Sequence, residues 1–189
     1  MCILNFILLH TIFVTELDNT PRQLAMVSSG NKQEIEKKIG EALGLEMAAQ
    51  KAVEELGSKG LLDKGGMKDK LEKMRNQANN HQTNLEELIQ NLSESQGLDS
   101  TNIQEVANET AQKVSEMMKI YLGESHDSSE AIEFLCLVEG GEVTHYEVLG
   151  AMTKLVKDRK FSAKVKAILE EEKKHLQLCT RLAKQIAIE

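Results

Sequence analysis

The sequence predicts an all-α protein: four long helices arranged as two antiparallel hairpins, with a shorter extra helix in the crossover connection between them. Three observations carry that expectation. Proline occurs once, at Pro21, so no ring interrupts a helical hydrogen-bond ladder after it. Strong helix formers (Glu, Lys, Leu, Ala, Gln and Met) dominate the composition. Clusters of Gly, Ser, Asn and Asp then cut the chain into pieces of helical length. With 189 residues, the chain is long enough for one domain that buries a substantial core.

Residues 1–30 read as an extension outside the native domain, which is expected over 31–187. Met1 to Val14 is apolar but too short to span a bilayer. It also lacks the basic start and small-residue cleavage site of a secretory signal. Met26, ahead of the helix-starting cluster Ser28-Ser29-Gly30-Asn31, is the expected start of the functional protein.

The first helix is expected over roughly 32 to 56, closed by Gly57-Ser58-Lys59-Gly60. Gly65-Gly66 and Gly97 bracket the second, at roughly 67 to 96. The shorter helix follows Leu98-Asp99-Ser100 and runs over roughly 101 to 122, ending at Gly123. The last two, at roughly 128 to 157 and 161 to 186, meet at Asp158-Arg159-Lys160. Short loops within each pair make antiparallel neighbours.

Charge and cysteines narrow the function classes. A formal net charge of −7 and the lack of a basic aromatic stripe argue against a nucleic-acid partner. Cys2, Cys136 and Cys179 are odd in number and lack Cys-x-x-Cys spacing, which suits a reducing cytoplasm. No membrane partner is expected. No phosphate loop or Ser-His-Asp arrangement is visible, so no catalytic residue is assigned.

Polar residues on the apolar seams carry the functional reading, because a buried charge without a partner costs several kcal/mol or changes its protonation. In the first helix Glu46 lies in the middle of the stripe Ile35, Ile39, Ala42, Ala49, Val53 and Leu56. His81 is the strongly polar member of the second stripe, among Leu71, Met74, Ala78, Leu85 and Leu88. The fourth helix is expected to bury Phe134, Val138, Gly141, His145, Val148, Met152 and Leu155, with Glu142 on the flank of that face. In the last helix Glu172 and His175 fall within the stripe of Phe161, Ile168, Cys179 and Leu182. Gly140-Gly141 reads as a point of close helix contact or a slight kink.

Two Glu-x-x-His motifs result, Glu142 to His145 and Glu172 to His175. Residues three apart share one helix face, so a carboxylate oxygen and an imidazole nitrogen can reach the same ion. The candidate metal ligands are Glu46, His81, Glu142, His145, Glu172 and His175, with Glu147 in reserve. Glu46 and Glu172 are the expected bridging carboxylates. A metal-free bundle whose inward polar groups satisfy one another, acting through dimerisation or a partner, is the alternative.

These residues resemble the ferritin-like superfamily, and most closely its YciF-like branch of stress-associated proteins. Val143-Thr144-His145-Tyr146-Glu147 resembles a Val-Glu-His-Tyr-Glu stretch of that branch, and Leu169 to Leu176 resembles its Glu- and Lys-rich final helix. The resemblance implies a four-helix bundle around two iron or manganese ions, often dimeric, reacting with dioxygen or peroxide. It matches Glu46 to the first-helix carboxylate and Glu172 with His175 to the last-helix pair, and it favours Glu147 where the seam favours Glu142. Two departures stand out. Thr144 replaces a glutamate, and Asn79, Asn80 and Gln82 lie where carboxylates are expected, so one carboxylate is missing from the second helix. The remaining histidine-rich set suits Fe, Mn or Zn.

Overall fold

The computed structural model describes residues 29–124 and 127–188. The expected extension, with Met26 and Pro21, lies outside them apart from Ser29 and Gly30, which open the first helix. The described residues form α1 (Ser29–Ser58), a one-turn 3-10 helix (Lys64–Gly66), α2 (Met67–Gln96), α3 (Ser100–Leu122), α4 (Ser128–Val156) and α5 (Arg159–Ile186). No strand is present among them. No helix among them is long and apolar enough to cross a membrane.

Local chemistry explains the helix ends. Asp99, Asp127 and Asp158 precede α3, α4 and α5 in extended conformation, and each side chain accepts hydrogen bonds from otherwise unpaired first-turn N–H groups. Asp99 takes them from Thr101 and Asn102 at 2.9 and 3.2 Å. At the end of α2, Gly97 adopts φ 68° and its N–H returns to the carbonyls of Leu92 and Ser93. That left-handed cap favours a residue without a Cβ.

The core comprises two apolar layers with a polar layer between them. One contains Leu56, Leu71, Met74, Phe134, Leu135 and Leu182; the other contains Ile39, Leu43, Leu85, Leu92, Leu149 and Phe161. Along α1 and α5 the chain passes from the second layer to the first, and along α2 and α4 it passes the opposite way. Because α1 packs on α2 and α4, and α5 on α4 and α2, every neighbour in this ring of four is antiparallel. Helix α3 runs back outside the ring, so that α4 can start where α2 started.

Helix α3 lies closest to α1. A Cβ at Gly40 would come within 2.6 Å of the Ile103 carbonyl oxygen, and one at Gly44 within 2.6 Å of the Thr110 Cβ. These two glycines let the backbones approach. Gly140 and Gly141 do not serve that purpose: a Cβ at either would meet nothing within 4 Å, and α4 continues unbroken through them. The buried carboxylate of Glu36 ties the pair further, accepting from the Asp99 N–H at 2.8 Å and the Asn102 side chain at 3.1 Å.

Candidate metal centre

The polar layer is assembled from one level of the four ring helices. Helix α1 supplies Glu46, α2 supplies His81, α4 supplies Glu139 and Glu142, and α5 supplies Glu172 and His175; all six are buried. Five of the six residues expected from the sequence therefore meet. His145 does not. Its Nδ1 lies 2.8 Å from the Gly141 carbonyl and its Nε2 lies 3.5 Å from Glu41 of α1, on a side chain that is 31% exposed. Glu147, the reserve ligand, is also turned out and pairs with Lys173 at 3.5 Å.

The cause is the rotation of α4. Its buried stripe runs through Leu135, Val138, Glu139, Glu142, Tyr146, Leu149, Thr153 and Val156. Val148 and Leu155, expected inside, are each 42% exposed. Apolar residues lie on two faces of α4, and only the observed buried face includes Glu139. The signal for Glu139 was available: Glu139, Glu142, Tyr146 and Leu149 keep helical spacings of three and four.

Two three-residue donor sets lie in this layer. Ligand atoms of Glu46, His81 and Glu172 fall within 4.8 Å of one another, and so do those of Glu139, Glu172 and His175. Glu172 belongs to both sets and Glu46 to one. His81 Nδ1 lies 2.6 Å from Glu172 Oε1 and 3.3 Å from Glu46 Oε1. Although close, both Nδ1 and Glu172 Oε1 lack a well-aligned hydrogen-bond partner, so the contact is electrostatic rather than a directed bond. His175 Nδ1 stands 3.2 Å from Glu172 and 3.6 Å from Glu139.

The outer edges of both rings are held. His81 Nε2 lies 3.0 Å from Glu171, and His175 Nε2 lies 3.3 Å from the Gln77 side-chain oxygen. If each outer nitrogen donates, each Nδ1 keeps its lone pair for the interior, the arrangement that orients imidazole as a metal ligand. The two rings stack with centroids 5.8 Å apart. On the α1 side, the buried Tyr146 hydroxyl donates to Glu46 Oε1 at 2.6 Å.

The electrostatics are unbalanced. Burial pushes Glu46 up to about 7 despite its contact with His81. Burial, reinforced by the neighbouring Glu172 charge, raises Glu139 and Glu142 well above the usual carboxylate range. Burial would also raise Glu172, but its close contacts with His175 and His81 outweigh it and bring Glu172 down to about 2. The His81 ring, which burial alone would lower, is driven up to about 11 by Glu172 and Glu46. Without a cation, Glu46, Glu139 and Glu142 therefore keep their protons to higher pH than free carboxyls do. Six of its polar atoms lack hydrogen-bond partners: Glu46 Oε2, His81 Nδ1, Glu139 Oε2, both oxygens of Glu142 and Glu172 Oε1. Elsewhere among the described residues only Ser93 Oγ shares that condition. Buried polar atoms are normally satisfied, so unpaired carboxylate and imidazole atoms in one layer, with two close-set donor groups among them, make an arrangement that can hold a metal ion.

No family model, curated protein or solved structure matches this chain. The second helix lacks the expected carboxylate, since Asn79 and Asn80 are exposed and Gln82 bonds to Gln50 at 2.9 Å. Glu139 supplies a fourth carboxylate from α4 instead. Below the layer, Cys179 Sγ contacts Met74 Sδ at 3.8 Å, and burial raises its thiol, which makes Cys179 a packing residue rather than a thiolate ligand.

Proposed function

We propose that this chain is a ferritin-like metalloprotein whose α1, α2, α4 and α5 form a four-helix bundle around a dinuclear iron or manganese site. Glu46, His81, Glu139, Glu142, Glu172 and His175 would hold the ions, with Glu172 shared by the two donor sets. The observation that carries this reading is the pair of donor sets sharing Glu172. Charge supports it as well. Four carboxylates balance two divalent cations, which removes the need for buried protons. The ferritin-like pattern places Glu-x-x-His on two helices and a Glu on each of the others. Here Ala78 stands three residues before His81, and Glu139 restores the carboxylate count.

Iron or manganese would supply redox chemistry toward dioxygen or peroxide, consistent with a role in stress protection in the cytoplasm. The protein's own contribution is to orient both imidazoles through Glu171 and Gln77, to hold Glu46 through Tyr146, and to keep water out with the flanking apolar layers. Exposed Leu137, Val148 and Leu155 on α4 support pairing with a second copy.

Anaerobic reconstitution with Fe(II), Mn(II) or Zn(II), followed by metal analysis, tests the proposal. Wild type should hold about two ions per chain, and Glu172→Ala/His175→Ala should lose both. A folded wild type that holds substoichiometric metal under all three conditions would leave the metal-free bundle as the better reading.

A further inference from the structure

A groove of about 580 Å³ lies between α2 and α5, with His175 at its inner wall. Its rim carries Lys70 and Lys73 on α2, facing Lys174 and Arg181 on α5. All four are exposed, and no hydrogen bond or ion pair among the described residues engages any of them. Glu171, the carboxylate lining the groove, is already committed to His81 at 3.0 Å and Gln77 at 3.3 Å. In a chain with 30 acidic and 23 basic residues, four unpaired cations around one concavity form a local reversal of charge. Some lysines elsewhere are paired at helical spacing, as Lys37 and Lys38 are with Glu41.

The floor has a different chemistry. Met74 and Leu182 are buried and Leu178 half-buried, so the cations surround an apolar base. A concavity of this volume, apolar below with a few convergent polar groups, has the form of a small-molecule site. The basic rim disfavours passage of free metal cations and attracts anions.

We propose that this groove binds a small organic anion, a carboxylate or phosphate monoester with a short aliphatic body. The anionic group pairs with the Lys73 and Arg181 side of the rim, and the aliphatic body lies over Leu178. Because Gln77 and His175 form the wall between groove and polar layer, the bound molecule stands next to the proposed metal centre without needing metal to be held.

The test uses the metal-free full chain with methyl-labelled methionine, titrated with hexanoate, hexyl phosphate and hexylammonium and followed by NMR. Met74 reports on the groove. Met47, which lines a separate groove against α3, is the internal control. Hexanoate or hexyl phosphate should shift the Met74 methyl saturably, leave Met47 unmoved, and show which head group is preferred; hexylammonium should shift neither methyl. Lys73→Gln/Arg181→Gln should weaken binding at least about tenfold, and Lys73→Arg/Arg181→Lys should retain it. No saturable shift, an equal response to hexylammonium, or binding unaffected by the Gln pair overturns the proposal. Metal stoichiometry is independent of this result, so failure of one reading does not sink the other.

Discussion

Metal-free protein should lose stability as the pH rises toward neutrality, and Glu46 allows the effect to be sized. Its carboxyl has an ordinary value of 4.5 and is held at about 7 by burial in the folded chain. Below about pH 4.5 the group is protonated in both states, and its contribution is fully present. Between there and about 7 the unfolded chain releases the proton while the folded chain keeps it, so unfolding becomes easier. One unit is worth about 1.4 kcal/mol, which puts the loss from Glu46 near 3 kcal/mol. Glu139 and Glu142 act in the same direction. His81 adds to it above its ordinary 6.5, because the folded ring keeps its proton up to about 11. Glu172 does not compensate in this window: its stabilisation is present above 4.5 and is lost only as the pH falls through about 2. The assay is urea unfolding followed by helical circular dichroism in chelator, at about pH 5 and about pH 7.5. Wild type should be clearly less stable at the higher pH, and Glu46→Gln should reduce the difference by about 2 kcal/mol, the part of the full loss that falls inside this window. Saturating Mn(II) should flatten it, since the metal replaces protons. A metal-free wild type equally stable at both values, or an unchanged slope in Glu46→Gln, would refute the account of the polar layer.

Three further outcomes follow from the geometry. Glu139→Ala should lower metal stoichiometry whereas His145→Ala should leave it at the wild-type level, because only the first side chain enters the layer; metal analysis of both purified variants decides it. Gly44→Ala should destabilise the fold by about 1–3 kcal/mol in thermal unfolding, since a Cβ would press on the Thr110 side chain and the α3 backbone, and a helix-propensity gain of about 1 kcal/mol does not offset that overlap. Tyr146→Phe removes the 2.6 Å hydrogen bond to Glu46 and should cost about 1–3 kcal/mol at neutral pH, measured by urea unfolding, with Glu46 titrating still higher.

Helix order and boundaries were largely legible, because caps and breakers act locally: Asp99, Asp127, Asp158 and Gly97 are short-range signals that no tertiary contact overrides. The burial of Glu46, His81, Glu172 and His175 was legible for a related reason, since each falls within an apolar stripe, and Glu142 lies on the flank of one. The roll of α4 was not. Helix α4 carries apolar residues on its exposed side as well, at Leu137, Val148 and Leu155, so periodicity alone supports two orientations about one residue apart. That ambiguity admitted His145 and hid Glu139. The tight seat of α3 on α1 was also hidden, because Gly40 and Gly44 lie within a helix and match no turn signal. Only the opposing backbone reveals why they are glycines.

The chain contains no tryptophan and two tyrosines, and their surroundings differ sharply. Tyr121 is 42% exposed, near Glu133, while Tyr146 is sealed inside with its hydroxyl on Glu46. The protein thus carries its own optical reporter. Tyr121 responds to solvent, whereas emission and ultraviolet absorbance from Tyr146 respond to the charge on Glu46. Tyr121→Phe leaves Tyr146 as the single tyrosine, placed at the buried centre against Glu46.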